Sequence, residues 1–330
     1  MRVLAVVEQG NAPSIRLRVG DHIARYRDSG IEITLLPTHA KISDRLNVAR
    51  QASRHDVVML FKTIGFTPLQ LALLRRTNPR IVFDFDDAVM FREQKYRQPV
   101  RARTFQKFVR TMKICAAVVA GNEFLAGFAE ACDRRALVLP TPIDLSRYVV
   151  KPPVEGRGRT IGWLGLSDGL PYVRQIAPAL RRLTETFPDL RLKIISDKPL
   201  ELEGVRVENE LWRAETEQAH LASFDVGIMP LWDSVWTRGK CGYKILQYMG
   251  VGTAVVASSV GVNRQIIRDG ENGFLATSEN DWFERIRRLL EQSDLRRQFA
   301  VRGRQLIEEH YSADQYVTKY AALLAKVARG

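Results

Sequence analysis

Cysteine is scarce in this chain, and long apolar runs are absent from it. Cys115, Cys132 and Cys241 lie scattered over 330 residues. An odd, dispersed set excludes a disulfide framework and a zinc cluster and suits a reducing compartment, so the cytoplasm is the expected location. No apolar stretch approaches the roughly 20 residues of a membrane-spanning helix. The opening MRVLAVVEQG has an apolar run too short for a signal peptide and reads as a first buried strand. The five histidines, His22 and His39 among them, show no metal-ligand spacing. No motif repeats and no segment is of low complexity. With 45% hydrophobic and 26% charged residues the chain can build sizeable cores, which excludes wholesale disorder.

Acidic charge is short in one half only. Residues 1–150 hold 24 Lys and Arg against 14 Asp and Glu, a net of +10. Residues 151–330 hold 26 against 23, a net of +3, which completes the total of +13. So basic a first half points to an anionic partner: nucleic acid, an acidic membrane surface or a phosphorylated substrate.

What is present is alternation. Short β-branched runs alternate with helix-length amphipathic stretches, the pattern of parallel sheets covered by helices. Strands are predicted at 2–7, 31–37, 56–61, 80–85, 116–121 and 136–140, with helices near 14–29, 68–77, 98–114 and 123–131. The pattern restarts with strands at 159–165, 191–196, 205–209, 225–230 and 253–258, and helices near 170–187 and 242–250. Consecutive helices run from Asp281 to Ala328, broken by a new N-cap at Ser312. The stretch VVKPPVEGRGR suits a linker and sets the boundary at about 148–158, giving domains 1–150 and 151–310. Two such α/β domains are expected to bind ligand in a cleft at their strand C-terminal edges.

The most informative segment is 225–276. A strand ends at Pro230, a loop carries Trp232, Asp233 and Trp236, and Arg238-Gly239-Lys240-Cys241-Gly242-Tyr243-Lys244 opens a helix. Glycines allow close backbone approach, and the first-turn N–H groups of a helix favour an anion. With three cations in seven residues, each charged hydrogen bond worth roughly 1.5–3 kcal/mol, the stretch could hold a diphosphate. A solvated basic loop before an ordinary amphipathic helix fits the same residues.

Beyond this point the sequence resembles a known family. Gln247-Tyr248-Met249, Gly252-Thr253-Ala254-Val255-Val256-Ala257-Ser258, Val260-Gly261-Val262 and Asn272-Gly273-Phe274 match, in order and spacing, the C-terminal domain of group 1 (family four) retaining glycosyltransferases. The resemblance implies the GT-B fold: two Rossmann-like α/β domains facing each other across a cleft, the first for acceptor and the second for a nucleotide-sugar donor. The places of the family's two glutamates are held by Gly239 and Gln247, and the Gly-Lys-Cys-Gly-x-Lys and Leu-Gln-Tyr-Met form resembles a variant subgroup. Lys240, Lys244 and Arg238 then stabilise the departing diphosphate. Gly239, Cys241, Gly242 and Tyr243 line it, Gln247 meets the ribose, and Asp233 stands in for the first glutamate. Gly165 and Ser167 correspond to the glycine loop beneath the phosphates, and Gly261, Val262 and Asn263 to the later donor loop. The last helix, 311–330, resembles the family's segment that crosses back to the first domain.

In the first half, Ser14, Arg16 and Arg18 resemble the family's first loop and helix, on the acceptor side, though arginines that merely face water fit as well. Asp86 and Asp87, after Asp84 at a strand end, are assigned to acceptor hydroxyls or loop capping, and Asn122 to the acceptor side. Paired carboxylates invite a metal; the resemblance implies that none is required and no cofactor is expected. The stretch Arg92 to Lys113 has eight basic residues and one acid among Tyr96, Phe105 and Phe108, which suits peripheral contact with an anionic membrane or, alternatively, a solvated helix face. The partners expected are a nucleotide-sugar donor and a glycan, lipid-linked or small-molecule acceptor. Two other classes compete: a catalytically inactive GT-B domain serving as a partner subunit, suggested by the missing glutamates, and a nucleic-acid-binding protein, which lacks any recognised module.

Overall fold

Runs rich in Val, Ile and Leu become parallel strands covered on both faces. In the computed structural model, which describes residues 1–8, 13–38, 42–91, 102–152 and 158–330, strands β3 (Val57–Phe61) and β4 (Ile81–Phe85) are buried at every position. Side chains alternate between faces, so each face of a sheet seats its own core.

Contacts divide the chain into two units. Unit 1 comprises Met1–Pro142, Ser234–Cys241 and Ala313–Gly330; unit 2 comprises Ile143–Asp233 and Gly242–Ser312. Besides β3 and β4, the strands of unit 1 are β1 (Arg2–Glu8), β2 (Glu32–Thr38), β5 (Ala117–Ala120) and β6 (Ala136–Val138), in the order β2-β1-β3-β4-β5-β6, all parallel. Leu4, Leu60, Phe83 and Phe85 face Phe108 and Met112 of the helix Ala102–Ile114. Val3, Met59 and Val82 face Tyr316, Tyr320 and Leu324 of the helix Ala313–Arg329. Each such aliphatic or aromatic side chain contributes about 1.5–3 kcal/mol on burial.

Unit 2 carries β7 (Thr160–Leu164), β8 (Arg191–Ser196), β9 (Val207–Leu211), β10 (Val226–Met229), β11 (Ala254–Ser258) and β12 (Phe274–Ala276). Their order, β12-β11-β10-β7-β8-β9, is parallel throughout. In each unit the strand order reverses at one place, between β1 and β3 in unit 1 and between β7 and β10 in unit 2. Sheets of this kind bind ligands just beyond the strand C-termini at that switch point.

Several expectations shift. The helix expected over 14–29 is two pieces, Pro13–Arg18 and Ile23–Asp28, joined by a 3-10 turn at Gly20–His22. The one expected over 170–187 breaks into Leu170–Arg174 and Ala177–Thr186, where Pro178 lacks the N–H a continuous helix needs. The strand expected over 205–209 forms two residues later. Helix Ile42–Ala52 and strand β12 were not expected. The division falls after Pro142, ahead of the expected linker, whose residues 153–157 lie outside the described residues. Residues 92–101 of the basic stretch lie outside them too. Segment Ser234–Cys241, expected in the second domain, packs in unit 1.

Candidate functional site

At the switch point of unit 2 the chain leaves β7 through Gly165. A Cβ built there would lie 2.7 Å from Lys244 Cε, 2.9 Å from its Nζ and 2.9 Å from the Trp163 ring, so a side chain at this position would displace the lysine from the strand end. Lys244 Nζ sits 5.4 Å from the centroid of the Trp163 ring, a cation–π distance. Trp163 itself is buried core. Lys244 lies in the first turn of the helix Tyr243–Gly250, whose N-cap Gly242 is left-handed (φ +68°). A Cβ on Gly242 would approach Ile266 Cδ1 to 2.4 Å, so glycine is required twice over. The sequence therefore brings Gly165, Gly242 and Lys244 together in one unit.

Ser167 follows Gly165, but its N–H and hydroxyl donate to Asp197 at 2.6 and 3.0 Å. The backbone N–H of Ser167 is the main reason the Asp197 carboxyl is held below its ordinary pKa. Gln247 is a correction. Its side chain is 3% exposed and its amide donates to Glu217 Oε1 at 3.0 Å and Tyr148 Oη at 3.2 Å. Trp212 Nε1 donates to the other Glu217 oxygen at 2.9 Å, and Tyr243 Oη lies 3.4 Å from Tyr148 Oη. Burial, with Glu217 adding to it, pushes the Tyr148 phenol up to about 12. This closed network braces the helix from beneath, so the Gln247 amide nitrogen is committed to protein partners. Val262 is also buried, and Asn263 donates to Ser258 O at 3.0 Å after Gly261 (φ +52°) turns the chain; these two side chains build the loop. Asp233 is exposed just after β10.

In unit 1 the segment Ser234–Cys241 lies against the ends of β4 and β5. Ser234 caps the short helix Val235–Arg238 in a reciprocal capping box with Thr237. A Cβ on Gly239 would lie 2.8 Å from that of Ala88, which leaves no room for the glutamate expected at this place in the family pattern. Cys241 Sγ donates to Asp86 O at 3.2 Å, and burial pushes its thiol well above the ordinary range, so it acts as a neutral donor. Lys240 Nζ lies 5.8 Å from the Trp236 ring centroid, and Arg238 is exposed.

The acceptor-side residues divide. Arg18 is another correction: it is fully buried, bonding Leu139 O at 2.8 Å, Thr141 Oγ1 at 3.3 Å and Asp84 Oδ1 at 2.9 Å. Tyr320 Oη donates to the second Asp84 oxygen at 2.9 Å. A guanidinium so enclosed braces the unit and cannot meet a substrate. Arg16 lies 3.8 Å from Asp21 and is partly exposed. Ser14, Asp86 and Asp87 do converge, around a residue the sequence reading missed. Lys62 Nζ donates to Ser14 Oγ at 3.1 Å and to Asp87, and lies 3.2 Å from Asp86 Oδ1. Burial works against its charge, but Asp86 and then Asp87 more than offset it, so the ammonium holds its proton above the ordinary lysine range. Lys62 is left-handed (φ +54°) at the end of β3, a strained conformation for a lysine, beside the switch point. The space between the two carboxylates that could hold a metal contains this ammonium instead.

Residues 158–292 match the family model described as glycosyl transferases group 1. HepE of Anabaena, solved in complex with UDP and glucose, superposes over 99% of this chain and 100% of its own with a TM-score of 0.72 at 14% identity. Sucrose-phosphate synthase of Thermosynechococcus elongatus gives a TM-score of 0.74 at 10% identity over 99% and 98% of the two chains. This chain has the GT-B fold. A phosphatidyl-myo-inositol mannosyltransferase of Mycobacterium tuberculosis is 27% identical over 186 residues, 52% of this chain. The chain thus spans about half the length of that relative, 48%. The family-model match covers 135 of the 330 residues.

Proposed function

We propose that the chain is a retaining glycosyltransferase, moving a sugar from a nucleotide diphosphate-sugar to an acceptor hydroxyl on a glycan, a lipid-linked carrier or a small molecule. The observation that carries this reading is Lys244 over Gly165 at the switch point of unit 2, in the first turn of a helix whose N-cap must be glycine. Lys240 and Lys244 bind the diphosphate, assisted by Arg238. As the bond from the sugar C1 to the diphosphate breaks, the diphosphate leaves with the electron pair, and the cations stabilise the charge it gains. The acceptor oxygen bonds to C1 on the face the diphosphate leaves, and its proton passes to an oxygen of the departing diphosphate. Ser14, Asp86, Asp87 and Lys62 form the acceptor side, and the reaction needs no metal.

Proton NMR of the reaction with UDP- or GDP-sugars tests this directly. The expected result is release of nucleoside diphosphate, undiminished by a chelator, with a product of the donor's own anomeric configuration. Binding of a nucleotide-sugar with no transfer to any hydroxyl acceptor would favour the inactive partner subunit, a reading that the glycine at 239 keeps in play. We further place the protein in the cytoplasm at an anionic membrane face. No helix among the described residues is long and apolar enough to cross a membrane, but Arg103, Lys107, Arg110 and Lys113 are exposed on the helix Ala102–Ile114. The lipid substrate named for the mannosyltransferase relative supports that placement.

A further inference from the structure

Asn122 stands where β5 ends and is 3% exposed. Its backbone is extended, and its Oδ1 accepts from Leu125 N at 2.9 Å as the N-cap of the helix Glu123–Glu130. The same side chain bonds a segment far away in sequence. Nδ2 donates to Lys240 O at 3.0 Å and, more weakly, to Arg238 O at 3.4 Å. The amide can be placed only one way. Flipped, it would set N–H against N–H at the helix cap and oxygen against two carbonyls.

The surroundings leave the segment little freedom. A Cβ on Gly121, the neighbour of Asn122, would lie 2.3 Å from Cys241 Sγ and 2.9 Å from Asp86 Cα. Gly239 meets Ala88 as closely, and the Cys241 thiol is bonded to Asp86 O. Backbone thus lies on backbone, with Asn122 holding the carbonyls on both sides of Gly239. A lysine carries about 2 kcal/mol of rotamer entropy, so where its ammonium can reach depends on how firmly its main chain is fixed.

We propose that Asn122 is a positioning residue for the donor diphosphate rather than an acceptor contact: it clamps the Arg238–Lys240 backbone and so sets where the Lys240 ammonium lies. The inference rests on the reading of Lys240 as a diphosphate ligand. It predicts a selective defect, because a displaced Lys240 weakens the phosphates' contact and leaves the nucleoside's untouched.

Asn122→Ser separates the two jobs of the side chain. Serine is as good an N-cap, but it has no amide to reach the two carbonyls. Titration calorimetry with UDP, GDP and ADP, and with uridine, guanosine and adenosine, identifies the nucleotide the wild type binds and then compares the variants. Asn122→Ser is expected to lose no more stability than one to two hydrogen bonds are worth, to bind the diphosphate about tenfold more weakly, and to bind the nucleoside unchanged. Asn122→Thr, which also keeps the cap and lacks the amide, should show the same split, and it decides the matter if the serine variant is unstable. Diphosphate affinity equal to wild type in both variants, with Lys240→Ala weakened, overturns the clamp. Equal weakening of diphosphate and nucleoside also overturns it, since that is a general structural loss. If Lys240→Ala itself binds the diphosphate like wild type, the reading of Lys240 falls and the clamp with it.

Discussion

Gly242 is held by two independent constraints, a left-handed backbone and a wall formed by Ile266 and Val262. Gly242→Ala is therefore expected to lower stability by about 1–3 kcal/mol, read as a shift in the urea midpoint. Gly127 is the comparator: it lies within the helix Glu123–Glu130, and a methyl group placed on it would have no neighbour within 4 Å. Gly127→Ala should be stabilising by about 0.4–1 kcal/mol. Equal effects at the two sites would contradict the account of Gly242. At this scale the sequence was legible where a backbone requirement leaves its mark, as in the glycines at 239 and 242. It was not legible at Gln247, whose amide is taken by Glu217, thirty residues away in the sequence. Lys62 was hidden for a different reason. One lysine after an apolar strand has no pattern, and its meaning comes from the register that sets Phe61 beside Asp84 on the neighbouring strand.

Among the elements, the helix Ala313–Arg329 owes its place to polar as well as apolar contacts. Tyr320 reaches Asp84, which Arg18 also holds, while Arg18 lies 5.4 Å from the Tyr316 ring. Removing one member of a buried pair leaves the other charge uncompensated. Arg18→Met should therefore cost about 3–5 kcal/mol in urea unfolding, and Arg18→Met/Asp84→Asn should recover part of that loss. A cost below about 1 kcal/mol would mean that the pair does not brace the unit. Most strands were legible because runs buried on both faces are continuously apolar. Strand β12 was not, since its three residues, Phe274–Ala276, gain their partner only from β11. The place of Ser234–Cys241 in unit 1 was equally hidden, because it depends on glycine contacts and on Asn122 rather than on any local pattern.

For the whole molecule, the uneven charge remains the plainest feature of the sequence. The four exposed cations of the helix Ala102–Ile114 give the proposed membrane contact its test. At about 1 kcal/mol per cation near an anionic surface, replacing Arg103, Lys107, Arg110 and Lys113 by Gln should abolish sedimentation with phosphatidylserine-containing vesicles. Wild-type protein should ignore pure phosphatidylcholine. Equal sedimentation of the two proteins would place the contact elsewhere. The GT-B fold was legible as a whole because each half repeats the alternation of strand and helix. The boundary was not, since the chain passes between the units at Pro142, Asp233, Cys241 and Ser312 rather than through one linker.

The central claim is that Lys240 and Lys244 bind a nucleoside diphosphate, and thermal denaturation with UDP, GDP and ADP tests it most directly. A ligand at 100 times its dissociation constant stabilises by about 2.7 kcal/mol, an easily resolved shift. The account predicts that one of the three raises the melting temperature of wild type and leaves Lys240→Ala/Lys244→Ala unmoved. A variant that responds as wild type does, or a wild type that responds to none of the three, would contradict it.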